Sequence, residues 1–369
     1  MAETMKDEVK IITSKAITEG WESIRITRGI ERCPNDFTLT MSERYKGELQ
    51  GVSLFAGDEF ELTIENKKGK NESVITGFID RYVPSINKSA HSISVSGRGK
   101  CQDLVDCSAI YENGAFVNMT LPSIAFALMS PFKIDLIVTK AAQAYITKVI
   151  PSFPLMYGET VIEIIERIAQ YVRVLVYEDN FGRLVLDTVS TTRMKSGIQE
   201  GKNVQAASIV YANDQRFKHY YGYYTAIDNY NDVSGHATAL QAVKPVSDGG
   251  ITRYRPKIFI MESGDVQANT LQARLSWECN RRAGRGQALR VQVDSWRDGE
   301  DNLWRPNTVV PVHIPTLKIN HKDMLIGEVT YIRNGQQGTI AELVLMPPEA
   351  YAPQPIVFIK SNLPELAKP

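Results

Sequence analysis

The chain is poor in the residues on which chemistry usually rests. Its 369 residues hold four cysteines and five histidines. Cys33, Cys101, Cys107 and Cys279 are scattered and include no CxxC pair. That excludes a disulfide framework, and reduced thiols are expected. Cys101 and Cys107 have only His91 nearby, whereas zinc sites show tighter ligand pairs. His91, His219, His236, His313 and His321 form no HExxH and no paired spacing. No GxSxG elbow precedes a helix, and no Cys/His pair sits in a nucleophile context. Charge of one sign is also missing: 42 Lys+Arg balance 42 Asp+Glu, so no overall basic field draws the chain to nucleic acid or an anionic membrane. No apolar run approaches the roughly eighteen residues of a membrane-spanning helix. The opening MAETMKDEVK carries acids where a signal peptide needs bases, so a cytosol-like compartment, or export without a signal, is expected.

What is present is an ordinary globular composition, 43% hydrophobic and 23% charged, in a chain long enough for two to four domains of about 100–200 residues each. From Trp21 to Ser108 the pattern is almost wholly β. GDEFELTIE places Phe60, Leu62 and Ile64 on one face, NKKGKN turns, VITGFIDRYV returns, and HSISVSG alternates with Ile93 and Val95 inward. The middle third changes period. Thr120 is a plausible cap for a short helix stopping at Pro131, and Thr160 with Glu163 forms a capping box. Behind the box, Val161, Ile164, Ile165, Ile168, Ala169 and Val172 recur at helical spacing. RVLVYEDNFGRLVLDTV reads as a hairpin turning at 179–182. QRFKHYYGYYTAIDNY is an aromatic-rich strand, Asn231–Ile251 a loop or insertion, and Asp265 a cap for a helix sharing Ala268, Leu271, Leu275 and Cys279 on one face. Strands return from Ala288.

Two stretches repeat a pattern. Asp58 leads alternating Phe60, Leu62 and Ile64, then VITGFI with Gly77. Asn307 leads Val310, Val312 and Ile314, then MLIGEV with Gly327. Order, gap and glycine position suggest a duplicated β-barrel. The expected division is 1–110 first barrel, 111–195 α/β domain, 196–225 with 287–350 second barrel, 226–286 inserted α/β segment, and 351–369 extended tail.

SGRGK invites comparison with a phosphate loop, but a P-loop needs Gly-x4-Gly-Lys-Ser/Thr between a strand and a helix of a parallel sheet. Here Lys100 is followed by cysteine. A structural corner is favoured, with Gly97 and Gly99 permitting the bend and Arg98 pairing with Asp103 or Asp106. The acid pairs Glu59/Glu61 and Glu163/Glu166 lie on polar faces of a strand and a helix, not across a cleft. Arg281, Arg282 and Arg285 complement a helix C-terminus. Tyr220, Tyr221, Tyr223 and Tyr224 would alternate across a strand, which points to core plus subunit contact rather than base stacking. No catalytic constellation emerges, and neither a cofactor nor a metal is expected.

GFIDRYVPSINKSAHSISVSGRGKCQDLVDCSA, taken whole, resembles the Mu-like phage baseplate hub family, the tail proteins of the late-control type related to the hub part of type VI secretion spikes. RLSWECNRRAGRGQALRVQVDSWRDGEDNLWRPNTVVPV is similar to that family's arginine-rich helix and the tryptophan–arginine segment after it. The resemblance runs from about Ile24 to Tyr351. It implies a non-enzymatic α+β, mostly β chain, with two similar antiparallel barrels joined by small α/β domains in a trimeric ring. It further implies a virion baseplate location, host-cytoplasm assembly, and contacts with a trimeric spike, the tail tube and other baseplate proteins. DNA would be a transient passenger, without membrane insertion. A tail-associated cell-wall hydrolase or a nucleic-acid-binding module are the alternatives. Tyr221, Trp296 and Trp304 are the expected interface anchors.

Overall fold

The computed structural model describes residues 7–42, 53–88, 91–112, 114–225, 240–261 and 268–354. The Asp265 cap, part of the Asn231–Ile251 loop and the tail beyond Gln354 lie outside these residues. The first β region holds β1 (Val9–Ile12), β2 (Ile17–Thr18), β3 (Ser23–Gly29), β4 (Asp36–Ser42), β5 (Glu59–Glu65), β6 (Asn71–Ile86) and β7 (His91–Gly99). Strict alternation dictates β7: Ile93, Val95, Gly97 and Gly99 are buried and the residues between them are not. After the short α1 (Gln102–Asp106) the chain enters the α/β module: β8 (Ala115–Thr120), α2 (Leu121–Met129), β9 (Leu136–Val138), α3 (Gln143–Ile146), β10 (Val149–Pro154), α4 (Val161–Val172), β11 (Leu175–Glu178) and β12 (Leu184–Asp187). The Thr160/Glu163 box caps α4, with both reciprocal bonds made. Its six stripe residues are buried, and Arg173 ends it in the left-handed region.

Two strands, β13 (Ile198–Gln199) and β14 (Val204–Tyr211), open the second β region. An insert follows: β15 (His219–Thr225), β16 (Leu240–Ala242), β17 (Val246–Ser247), β18 (Pro256–Met261) and α5 (Ala268–Arg285). The chain then completes the second region with β19 (Gln287–Val293), β20 (Thr308–Ile314), β21 (Ile319–Asn334) and β22 (Gly338–Met346). Within the expected loop, residues 240–242 and 246–247 are therefore the strands β16 and β17, which pair with β15.

The two β regions share a strand order. The first runs β3-β4-β7-β6-β5 and the second β14-β19-β22-β21-β20. β6 and β21 each span 16 residues, β7 and β22 each nine, and both hairpins carry a bulge. The glycine match read from sequence does not hold residue by residue. Gly327 sits in the bulge between Ile326 and Glu328, the place Asp80 takes in the first hairpin, whereas Gly77 lies in regular ladder opposite Phe60 and Gly99.

The two regions are not closed barrels. Among the described residues neither path returns on itself. The outer edge of β3 pairs instead with β21, joining both regions in one 13-stranded sheet. An edge shared between regions is as well satisfied as one shared within a ring, which is why alternation alone could not tell the two apart. One core runs through both regions, from Val9 and Ile11 through Phe37 and Phe60 to Trp296, Tyr331 and Leu345. A second core fills the α/β module, a third joins Leu175 of β11 to Val309, Leu325 and Met346 of the second β region, and a fourth packs α5 on β15.

Candidate functional site

The GRGK stretch is a corner where the large sheet meets the α/β module. The Gly99 N–H donates to the Asn35 carbonyl at 2.9 Å and the Lys100 N–H to the Thr76 carbonyl at 3.1 Å. Lys100 Nζ pairs with Glu59 at 2.5 Å. The amides that a phosphate cradle must aim at its ligand are spent on the fold.

Three glycines are needed here for close approach. A Cβ on Gly97 would stand 2.7 Å from the Phe78 carbonyl oxygen and 2.8 Å from the Phe37 ring. One on Gly99 would overlap the Glu178 carboxyl, and one on Gly77 the Arg98 carbonyl oxygen. None of the three has a left-handed φ. Crowding in the ladder, not an unusual backbone conformation, reserves these positions. Gly327 is held likewise, since a Cβ there would overlap the Tyr351 hydroxyl.

Arg98 makes two forked pairs. It reaches Asp80 through Nε (2.8 Å) and Nη2 (3.2 Å), and Asp106 through Nη2 (2.8 Å) and Nη1 (3.2 Å). Planar bidentate pairs of this kind fix orientation as well as charge. The guanidinium therefore ties the β6 bulge to α1. Asp106 is one of the two acids expected from sequence. Asp103 forms no ion pair among the described residues, and burial together with nearby Asp106 pushes its carboxyl above the usual range.

The residue that sequence reasoning missed is Glu178, 2% exposed. Its carboxyl accepts from the backbone N–H groups of Asn35 and Cys101, each at 2.8 Å, and the Asn35 side chain donates to its carbonyl at 3.1 Å. Burial pushes the carboxyl up to about 7, against the pull of those donors. The folded chain thus holds this proton more tightly than the unfolded chain does. The stabilisation is fully present below the ordinary carboxylate range and is lost as pH rises through about 7. Between pH 5 and 8 this group should cost as much as ~3 kcal/mol at one pKa unit per 1.36 kcal/mol. We expect Glu178→Gln to flatten that part of the stability curve, read as urea midpoints across the window. An unchanged slope would show that Glu178 is not the titrating group.

The expected interface aromatics separate into two kinds. Trp296 and Trp304 are 0% and 1% exposed inside this chain. The Trp296 Nε1–H donates to the carbonyls of Ile332 (3.1 Å) and Ile340 (2.9 Å), and the Trp304 Nε1–H to that of Ser295 (3.1 Å). Their area is used within the fold, so they are core residues and not available as surface anchors. Tyr221 is different. In parallel register β15 sets Tyr221 beside Ile258 and Tyr223 beside Ile260 of β18. α5 covers the opposite face of this sheet, with Leu271 and Leu275 against buried Tyr220. The uncovered face carries His219, Tyr221 and Tyr223, with Tyr254 77%, Ile258 56% and Ile260 60% exposed. Contiguous exposed apolar area on this scale marks contact surfaces.

No three His, Cys, Asp or Glu side chains among the described residues converge to hold a metal ion. No described helix is long and apolar enough to cross a membrane.

Comparison with known proteins follows the chain order of these elements. Residues 8–99 match the Mu phage baseplate assembly protein GpP-like N-terminal domain. Residues 101–188 match the second domain of baseplate hub protein gp44-like, and residues 267–354 the fourth domain of the Mu phage baseplate assembly protein GpP. Baseplate hub protein gp44 of Escherichia phage Mu is 28% identical over 349 residues, spanning 94% of this chain and 89% of that protein. The crystal structure of the 43 kDa tail protein of prophage MuSo2 from Shewanella oneidensis superposes with a TM-score of 0.79 at 31% identity, covering 95% of this chain and all of that one. An E. coli component of the type VI secretion system shares the fold alone, with a TM-score of 0.55 at 11% identity over 96% of this chain and 78% of that chain. The phage Mu and MuSo2 relatives are structural baseplate hub and tail proteins, not enzymes. With one relative above 30% identity along nearly its whole length and three baseplate models in register with its modules, the chain belongs to the baseplate hub proteins of Mu-like phage tails.

Proposed function

We propose that the chain assembles as a homotrimer in which six similar β regions, two per copy, form a ring around a central channel. The observation that carries this is the repeated strand order within one chain of a baseplate hub family. A chain with two like regions turns threefold symmetry into six near-equivalent positions, which suits a ring lying between a sixfold tube and a threefold spike. In this reading the boundaries near residues 110, 195, 225 and 286 separate the two β regions from the α/β segments between them. The spike, the tube and neighbouring baseplate proteins are its partners in the virion tail, after assembly in the host cytoplasm. DNA passes through without being held.

The open face around Tyr221, Tyr254, Ile258 and Ile260 is the proposed subunit contact. Threefold closure makes that contact heterologous, so this face meets a different surface of the next copy. Obligate assemblies bury on the order of thousands of Å², and a charge placed within such a patch is left unpaired. Ile258→Asp is therefore expected to convert trimer to monomer in sedimentation while leaving the circular dichroism of the chain intact. A trimer unaffected by Ile258→Asp would remove this face from the contact. For the ring itself, end-on class averages in negative-stain microscopy should show six lobes around a hole. A compact particle without a hole would refute the channel.

A further inference from the structure

All four cysteines are free thiols, and no spacing in the sequence pairs any two of them. The fold brings two together. Cys33 lies in the connection between β3 and β4, and Cys101 directly precedes α1. Cys101 is buried in the core of the α/β module, and half-buried Cys33 packs against that same core. Backbone bonds hold both segments in place. The N–H groups of Asn35 and Cys101 donate to the two oxygens of one carboxylate, that of Glu178, each at 2.8 Å. The Gly99 N–H adds a 2.9 Å bond to the Asn35 carbonyl. Within this frame the Cys33 and Cys101 thiols are within hydrogen-bonding reach of each other. Cys107 is exposed, and Cys279 lies in the separate core under α5.

We propose that Cys33 and Cys101 are a modification site, joining as a disulfide when the chain passes from a reducing to an oxidising medium. A disulfide spans Cα atoms about 4.4–6.8 Å apart, so thiols already within reach close it with little backbone movement. The oxidant is a small disulfide such as oxidised glutathione. Burial pushes the Cys101 thiol up, so the more accessible Cys33 attacks first, as its thiolate. A Cys33–glutathione disulfide forms and one glutathione thiolate leaves. Cys101 then attacks the Cys33 sulfur, the Cys33–Cys101 bond forms and the second glutathione leaves. Two protein thiols are oxidised, one small disulfide is reduced to two thiols, and both cysteine protons end on those thiols. Glu178, in hydrogen-bond contact with Cys101, takes the second proton on its way. The bond fastens the β3–β4 connection to the module at the corner already tied by Arg98. Cytosol keeps thiols reduced and extracellular medium oxidises them, so a corner assembled free would be locked on release. That change of medium rests on the virion location proposed above, whereas the pairing rests on the fold alone.

Thiol counting on the reduced full chain, before and after oxidised glutathione, tests the pair. Oxidation should lower the intact mass by about 2 Da. It should leave two of the four thiols open to alkylation, with Cys33 and Cys101 linked in the peptide map. The thermal midpoint should rise by several degrees and return on reduction. In Cys33→Ser, Cys101 should stay alkylatable and the midpoint should ignore the oxidant. A linked peptide in chains that sediment as monomers would uphold the pair while removing the trimer. Four alkylatable thiols after oxidation would overturn the proposal. So would glutathione that stays on Cys33 without closure, or a bond that forms only in urea, because the folded corner would then hold the thiols apart.

Discussion

Gly97→Val is expected to leave no folded chain to purify, while Lys100→Ala, three residues on, is expected to fold and assemble normally. Gly97 lies in β7 between two strands, opposite Phe37 on one side and Ile79 on the other. Valine must place its branched carbons where the Phe78 carbonyl and the Phe37 ring already are. Phe37 cannot step aside, because it is 1% exposed and packs edge-on against Phe60 with centroids 4.8 Å apart. Overpacking in a core costs about 1–3 kcal/mol and more where backbone must move. Against a total stability of about 5–15 kcal/mol, and with the Arg98 forks anchored on the next residue, the hairpin should not form. Lys100 pairs with a half-exposed glutamate, and such surface pairs contribute about 1 kcal/mol at most. Soluble yield and thermal midpoints of the two variants make the comparison. A normally folded Gly97→Val would mean that the corner is not closely packed, and nucleotide binding lost in Lys100→Ala would restore the phosphate-loop reading.

Arg297→Ala should destabilise the chain by about 3–5 kcal/mol, the usual cost of leaving a buried charge network without its centre. The Arg297 side chain is 3% exposed. Its guanidinium donates to Asp7 at 2.6 Å, to Glu72 at 3.2 Å and to the Asp301 carbonyl at 2.9 Å. Asp7 precedes β1, Glu72 belongs to β6, and Arg297 follows β19, so one side chain joins the two halves of the large sheet. Removing it strands two carboxylates against each other in partial burial. Lysine should recover little, because a single ammonium cannot reproduce the fork. Urea midpoints with an unchanged denaturant slope would measure the loss. A change below about 1 kcal/mol would mean that the network is solvated and contributes as a surface pair does.

How far the sequence could be read follows from how local each signal is. The α4 box, its buried stripe and the alternation of β7 were legible because the deciding residues lie within a turn or a strand of one another. So was Arg98–Asp106, eight residues apart. Glu178 was not. Its donors at Asn35 and Cys101 are 143 and 77 residues away, and nothing in VYEDN marks one acid as buried. Arg297 was hidden in the same way behind partners 290 and 225 residues distant. Trp296 and Trp304 were misassigned because an aromatic residue serves core and interface alike, and only the folded neighbourhood decides. The repeat was visible as a pattern, but a residue-level match of glycines mistook a bulge in one hairpin for regular ladder in the other. Closure failed for a related reason: alternation describes the faces of strands and says nothing of what their edges meet.

The mass of the purified particle tests the trimeric hub most directly. Native mass spectrometry at micromolar concentration should give about 124 kDa, three times the 41.3 kDa chain, with no monomer or dimer persisting as the concentration rises. A species of one or two chains that remains the end state at the highest soluble concentration would contradict the ring.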